Sequence, residues 1–103
     1  MILRGFQKKY LRGLAHNLKP VVFVGQKGIT ESMLRSVDEA LDTHELIKIK
    51  FVDFKEKEQK SELSSIIETR TNSLILGMIG HTLILFRQHK DPKKQKIKIP
   101  VKD

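Results

Sequence analysis

The stretch Val21–Thr30, VVFVGQKGIT, passes from an apolar run to two glycines around Gln26 and Lys27, and then to a residue type that starts helices. The β-branched run after Pro20 reads as a short buried strand. Thr30 is an N-cap residue with Glu31 in the first turn, and Met33, Leu34, Val37, Ala40 and Leu41 recur along one helical face. Gly25–Gly28 therefore joins the C-terminal end of a strand to the N-terminus of a helix. Unpaired amides and the positive end of the helix dipole point outward at such a junction, and a phosphate fits there. The glycines let the backbone bend and leave no Cβ in a ligand's way, while Lys27 at the apex supplies charge. The spacing is neither the Walker A nor the dinucleotide fingerprint, so nucleotide hydrolysis gains no support. A G-x-x-G loop clamping a nucleic-acid backbone is the nearest described use. The bland alternative is a glycine turn that only redirects the chain.

Working outward, Phe6, Tyr10, Leu11 and Leu14 recur at helical spacing, with Lys8, Lys9 and Arg12 between them, so Phe6–His16 reads as an amphipathic helix with a basic outer face. Downstream, Leu46–Val52 alternates Ile47, Ile49 and Phe51 against Lys48 and Lys50, a half-buried strand with a cationic outer face. Lys55–Arg70 begins charged and then shows Leu63, Ile66 and Ile67, which suits a third helix. Leu74–Ile79 and Thr82–Arg87 flank Gly80-His81, the pattern of a β-hairpin. The predicted fold class is α/β: an α-β-α-β-α-β-β order with a four-stranded mixed sheet packed against helices. Two strand-helix-strand units predict parallel neighbours, and the hairpin adds an antiparallel pair. Gly77, inside the third strand, marks a bulge or simply weakens the edge.

At 103 residues the chain fits one domain. Residues 1–88 read as that domain and 89–103 as a basic C-terminal extension. The extension is either a disordered tail or, because Ile97, Ile99 and Val101 alternate with Lys98 and Pro100, an edge strand or docked segment. The absence of cysteine removes disulfides and thiolate metal sites. With no signal-like run at the N-terminus and no span long enough for a bilayer, the expected location is cytoplasmic. The net charge of +8 is unevenly spread: residues 1–35 carry +6, residues 36–70 carry −3 and residues 71–103 carry +5. Basic ends around an acidic middle suit a polyanion held on one side of the molecule.

The joined segments QKKYLRGLAHNLKPVVFVGQKGIT, EALDTHELIKIK, GMIGHTLILFR and KIKIP resemble the bacterial YhbY-like proteins, which are single CRM domains. That resemblance implies a KH-like fold similar to the C-terminal domain of translation initiation factor three, and association with the precursor of the large ribosomal subunit. Carried over residue by residue, the family's loop falls on Gly25, Gln26, Lys27 and Gly28, and its basic first-helix surface on Lys8, Lys9, Arg12, His16 and Lys19. Where relatives often carry a polar residue or a tyrosine, this chain has Phe86 before Arg87, so stacking there would lack a hydroxyl.

The expected partner is ribosomal RNA or a large-subunit precursor particle, bound without cofactor, metal or small-molecule substrate, by a monomer that engages no membrane. The four histidines share no ligand-like spacing, and Ser61, Ser64 and Ser65 lie among the charges of a solvated helix rather than beside a base. His16 suits phosphate contact and helix capping equally. Aromatic residues are few, with Tyr10 and Phe86 the stacking candidates and core packing their ordinary role, so phosphates and RNA shape should dominate recognition. The competing function is a protein-interaction module that uses the acidic second and third helices, with RNA contact incidental.

Overall fold

The computed structural model describes residues 2–54 and 56–102; Lys55, where the sequence places the start of the third helix, lies outside them, as do Met1 and Asp103. The order is α1 (Gly5–Ala15), β1 (Val22–Val24), α2 (Glu31–His44), β2 (Leu46–Phe51), α3 (Lys57–Thr71), β3 (Leu74–Ile79), β4 (Thr82–Phe86) and a 3-10 turn over Pro92–Lys94. This is the predicted α-β-α-β-α-β-β succession with a mixed four-stranded sheet. The sheet runs β1-β2-β4-β3. β1 lies parallel to β2, and β4 pairs antiparallel with both β2 and β3. One expectation fails here: β2 and β3 share a direction but are not neighbours. The tight Gly80-His81 turn, with Gly80 at φ +60°, brings β4 back between them before β3 can pair with β2.

The sheet has a core on each face. Val22, Val24, Ile47, Ile49, Phe51, Leu83 and Leu85 meet Leu34, Val37 and Leu41 of α2 and Ile67 of α3. Thr30 starts α2 by accepting a 3.0 Å hydrogen bond from the Met33 amide. The α3 stripe departs from the predicted one, because its buried residues are Lys60, Ser64, Ile67 and Thr71 while Ile66 is exposed. Such a polar stripe is tolerated because its polar atoms are bonded. The Ser64 and Thr71 hydroxyls donate to the carbonyls of Lys60 and Ile67, and Lys60 Nζ donates to Gly80 O at 2.8 Å and lies 3.0 Å from His81 Nδ1.

On the opposite face, Leu3, Leu11 and Ala15 cover Leu46, Leu76, Ile84 and Phe86, and Ile97 and Ile99 close the cluster from the C-terminal segment. The β4 run is thus buried on both faces, as befits a central strand. α1 buries a narrower strip than its sequence suggests: Tyr10 and Leu14 remain exposed. β1 also departs from expectation. Val22 and Val24 are buried, but Val21 is 48% and Phe23 57% exposed. β1 is an edge strand whose outer face α1, seated on β2 and β3, does not reach.

The C-terminal segment is docked through Glu45, the residue that ends α2. Its side chain is fully buried, and its carboxylate accepts hydrogen bonds from the amides of His89 (2.7 Å), Lys96 (2.7 Å) and Ile97 (2.9 Å). Gln7 adds a second tie, accepting from Arg4 N and donating to Pro100 O. Glu45 holds this position with φ +64°, a backbone state that costs an ordinary residue on the order of 1–3 kcal/mol. Two substitutions separate carboxylate from backbone. Glu45→Gln should lower stability by about 1–3 kcal/mol, since a neutral amide replaces an acceptor of three bonds. Glu45→Gly relieves the backbone but removes the acceptor, and should expose the His89, Lys96 and Ile97 amides to rapid hydrogen exchange while β2 and β4 stay protected.

Candidate nucleic-acid interface

The chain from Gly25 to Gly28 forms a tight turn closed by a 2.9 Å bond from Gly28 N to Gly25 O. Gly28 has φ +66°, and a Cβ there would stand 3.5 Å from the Phe54 ring; at Gly25 it would meet Asp53 Oδ2 at 3.6 Å, an ordinary contact. The second glycine is therefore required by backbone conformation, whereas the first is not. Gln26 and Lys27 are exposed at the tip, and among the described residues their amides have no intramolecular acceptor. Those two amides and the Lys27 ammonium are the groups a phosphate could meet.

The α2 N-terminus offers less than the sequence reading supposes. Thr30 already caps the Met33 amide, and Glu31 places a carboxylate in the first turn, where it pairs with Arg70 at 2.6 and 2.8 Å. Asp53 stands close behind Gly25. An anion at this loop would be held by its tip rather than by the helix dipole, since carboxylates occupy the positive end.

Lys9, Arg12, His16 and Lys19 are exposed along α1 and the segment that follows it, and Lys8 is half-buried. Arg12 reaches over the sheet, its guanidinium donating to Leu76 O at 3.2 Å and its Cδ lying 3.5 Å from where a Gly77 Cβ would be. Gly77 sits at a register shift, so the bulge reading of that glycine is the right one, and Arg12 lies over it at ordinary contact distance. Lys19 leads into the start of β1, and Gly25 leaves its end about 10 Å further along the extended strand. Of the predicted helix residues only Lys19 adjoins β1, while Lys8, Lys9 and Arg12 belong to α1, which is seated on β2 and β3.

Sequence reasoning left out the residues between α1 and the loop. Lys48 and Lys50 project from β2 on the α1 side of the sheet, Lys48 Nζ donating to His16 O at 3.1 Å and Lys50 lying open to solvent. Phe23 stands beside Lys50 in the parallel register. Their alternation with Ile47, Ile49 and Phe51 is the signal that could have placed the two lysines in the site. Of the aromatic candidates, Phe86 is 1% exposed and packs in the core, so it cannot stack on a base; Tyr10 is 46% exposed. Charges segregate sharply. Neither α1 nor any strand contains an acidic residue, whereas α2 and α3 carry most of the carboxylates. Several of those are already engaged: Arg87 holds Asp38 at 2.7 Å and Asp42 at 3.0 Å, besides donating to Thr71 O.

Residues 3–87 match the CRS1 / YhbY (CRM) domain. The chain belongs to this family. Among its relatives, a Haemophilus influenzae protein named as RNA-binding is 42% identical over 89 residues, covering 86% of this chain and 89% of its own. A Bacillus subtilis probable RNA-binding protein is 33% identical, covering 90% of this chain and 96% of its own. A solved structure of a hypothetical Staphylococcus aureus protein, classed as a candidate RNA binder, superposes with a TM-score of 0.79 at 34% identity, covering 96% of this chain and all of that one. The CRM fold is thus shared across bacterial relatives, and no helix among the described residues of this CRM protein is long and apolar enough to cross a membrane.

The two loop glycines should respond differently to a methyl group. Gly28→Ala should cost about 1 kcal/mol or more in denaturant unfolding because of its positive φ. Gly25→Ala should change stability by less than about 0.5 kcal/mol.

Proposed function

We propose that this CRM protein binds RNA as a non-catalytic assembly factor, docking as a cytoplasmic monomer on ribosomal RNA of the large-subunit precursor. Gly25–Gly28 presents to a backbone phosphate Lys27 and two amides that have no acceptor among the described residues. Lys8, Lys9, Arg12, His16 and Lys19 extend the cationic footprint along α1 and the segment that leads into β1. The observation that carries this reading is charge segregation: α1 and the sheet are free of acids, while the carboxylates collect on the helices behind. A polyphosphate approaching the α1 side meets cations and releases counterions, and it avoids the acidic helices. The names of the relatives support RNA as that polyphosphate. The ribosomal assignment rests on the family resemblance. The acidic helices are less suited to a protein partner than their composition suggests, since Glu31, Asp38 and Asp42 are held by Arg70 and Arg87.

Filter binding of precursor ribosomal RNA should show log affinity falling steeply and linearly with log salt; a flat dependence would remove the electrostatic mechanism. Lys27→Glu should weaken binding about tenfold and make the salt slope shallower by about one phosphate's worth, uniformly across RNA sequences. Comigration with large-subunit precursor particles should be lost after ribonuclease treatment, and survival of that association would favour a protein contact instead.

A further inference from the structure

Four residues form a straight row across the α1 side of the sheet, near the end that carries the glycine loop. Register pairs Phe23 of β1 with Lys50 of β2, Lys50 with Thr82 of β4, and Thr82 with Ile79 of β3. Their neighbours Val22, Val24, Ile49, Phe51 and Leu83 point into the opposite core, which fixes this row on the α1 face. With strands about 4.8 Å apart, the row spans roughly 14 Å. α1 stops short of it: the cluster beneath α1 includes Ile84 and Leu76 but none of the four. Phe23 is 57% and Ile79 68% exposed, whereas Phe51 and Phe86 are 2% and 1% exposed.

An exposed aromatic at the centre of an edge strand needs an explanation, because the same fold buries phenylalanine completely elsewhere. A protein partner fits poorly, since Lys50 sits inside the row and lysine is depleted from the desolvated centres of protein interfaces. A second copy fits poorly for the same reason, with like charges brought face to face. A nucleic-acid strand fits both features: the ring offers a stacking surface to any base, and the ammonium beside it meets the adjoining phosphate. The row also continues the surface already described, because Phe23 is two residues before Gly25 and Lys50 stands between the loop and Lys48.

We infer that the open row is a stacking platform for an unpaired base, with Phe23 carrying the stack, Lys50 the neighbouring phosphate and Ile79 the apolar flank. The preferred ligand of this protein is then a single-stranded or bulged RNA segment rather than a regular duplex, whose bases are stacked inside and unavailable to a flat sheet. This inference rests on the RNA-binding reading and adds to it the conformation of the RNA.

The test is fluorescence anisotropy with the full chain, using a labelled single-stranded 12-nucleotide RNA and a 12-base-pair duplex at several salt concentrations. Phe23→Ala should weaken single-strand binding about tenfold, leave the salt slope unchanged because no phosphate contact is lost, and leave duplex binding unaltered. Phe23→Trp should retain affinity, and its indole emission should be quenched when the single strand binds. Thermal melts of both variants should match the parent, since the side chain is exposed. The inference is overturned if the wild-type chain binds with a steep salt slope but Phe23→Ala binds the single strand equally well; that result leaves the RNA-binding reading standing. It is also overturned, together with that reading, if the wild-type chain binds neither RNA. A concentration-dependent dimer in sedimentation that Phe23→Ala abolishes would overturn it by assigning the row to a second copy.

Discussion

Glu45 holds the molecule in its observed form. Its buried carboxylate gathers the amides of His89, Lys96 and Ile97, three donors from a segment with no strand partner of its own. Its own backbone supports the same junction, accepting the Arg87 amide at 2.8 Å while its N–H closes the last turn of α2 on Leu41 O. A buried carboxylate is costly unless it is hydrogen-bonded, and here three amides supply the bonds. The arrangement turns a lysine-rich tail into a lid over Leu46, Leu76, Ile84 and Phe86. It also permits the central strand β4 to be apolar on both sides.

The same packing decides where the surface is left open. α1 and the docked segment together cover only part of their side of the sheet, leaving Phe23, Lys50 and Ile79 to solvent beside the Gly25–Gly28 turn. Because α1 and all the strands lack acids, that uncovered area is bordered mainly by cations, with Asp53 at Gly25 the exception, while Arg70 and Arg87 tie carboxylates down on the far helices. Coverage by one short helix thus sets the shape of the candidate interface, and segregation of charge sets its sign. Arg12 lies over the Gly77 bulge, its guanidinium donating to Leu76 O of β3.

Much of the architecture was legible locally. The apolar run ending at Gly25, the Thr30 cap, the alternation of Leu46–Phe51 and the Gly80-His81 turn all specify elements by short-range rules, and the structure places those elements where the rules predict. The loop tip was legible for the same reason, as was the basic stripe of α1. Two features were not, and a third stayed open. The 3.6-residue period of α1 made Tyr10 and Leu14 look buried, the β-branched run made Phe23 look buried, and the C-terminal lysines left a disordered tail and a docked segment as alternatives. Each depends on which distant element covers which face.

The sequence by itself determined the order of helices and strands, the identity of the turns and the sign of the surface, because propensity, period and charge act over a few residues or need no geometry at all. Only the tertiary structure decided that β4 inserts between β2 and β3, that Glu45 binds the C-terminal segment, and that Phe23 stays in solvent. Those outcomes turn on contacts between residues far apart in the chain, such as Glu45 with Ile97 or Arg12 with Gly77. A period along the sequence tells a side chain which way to point, and the packing of the other elements determines what it meets there.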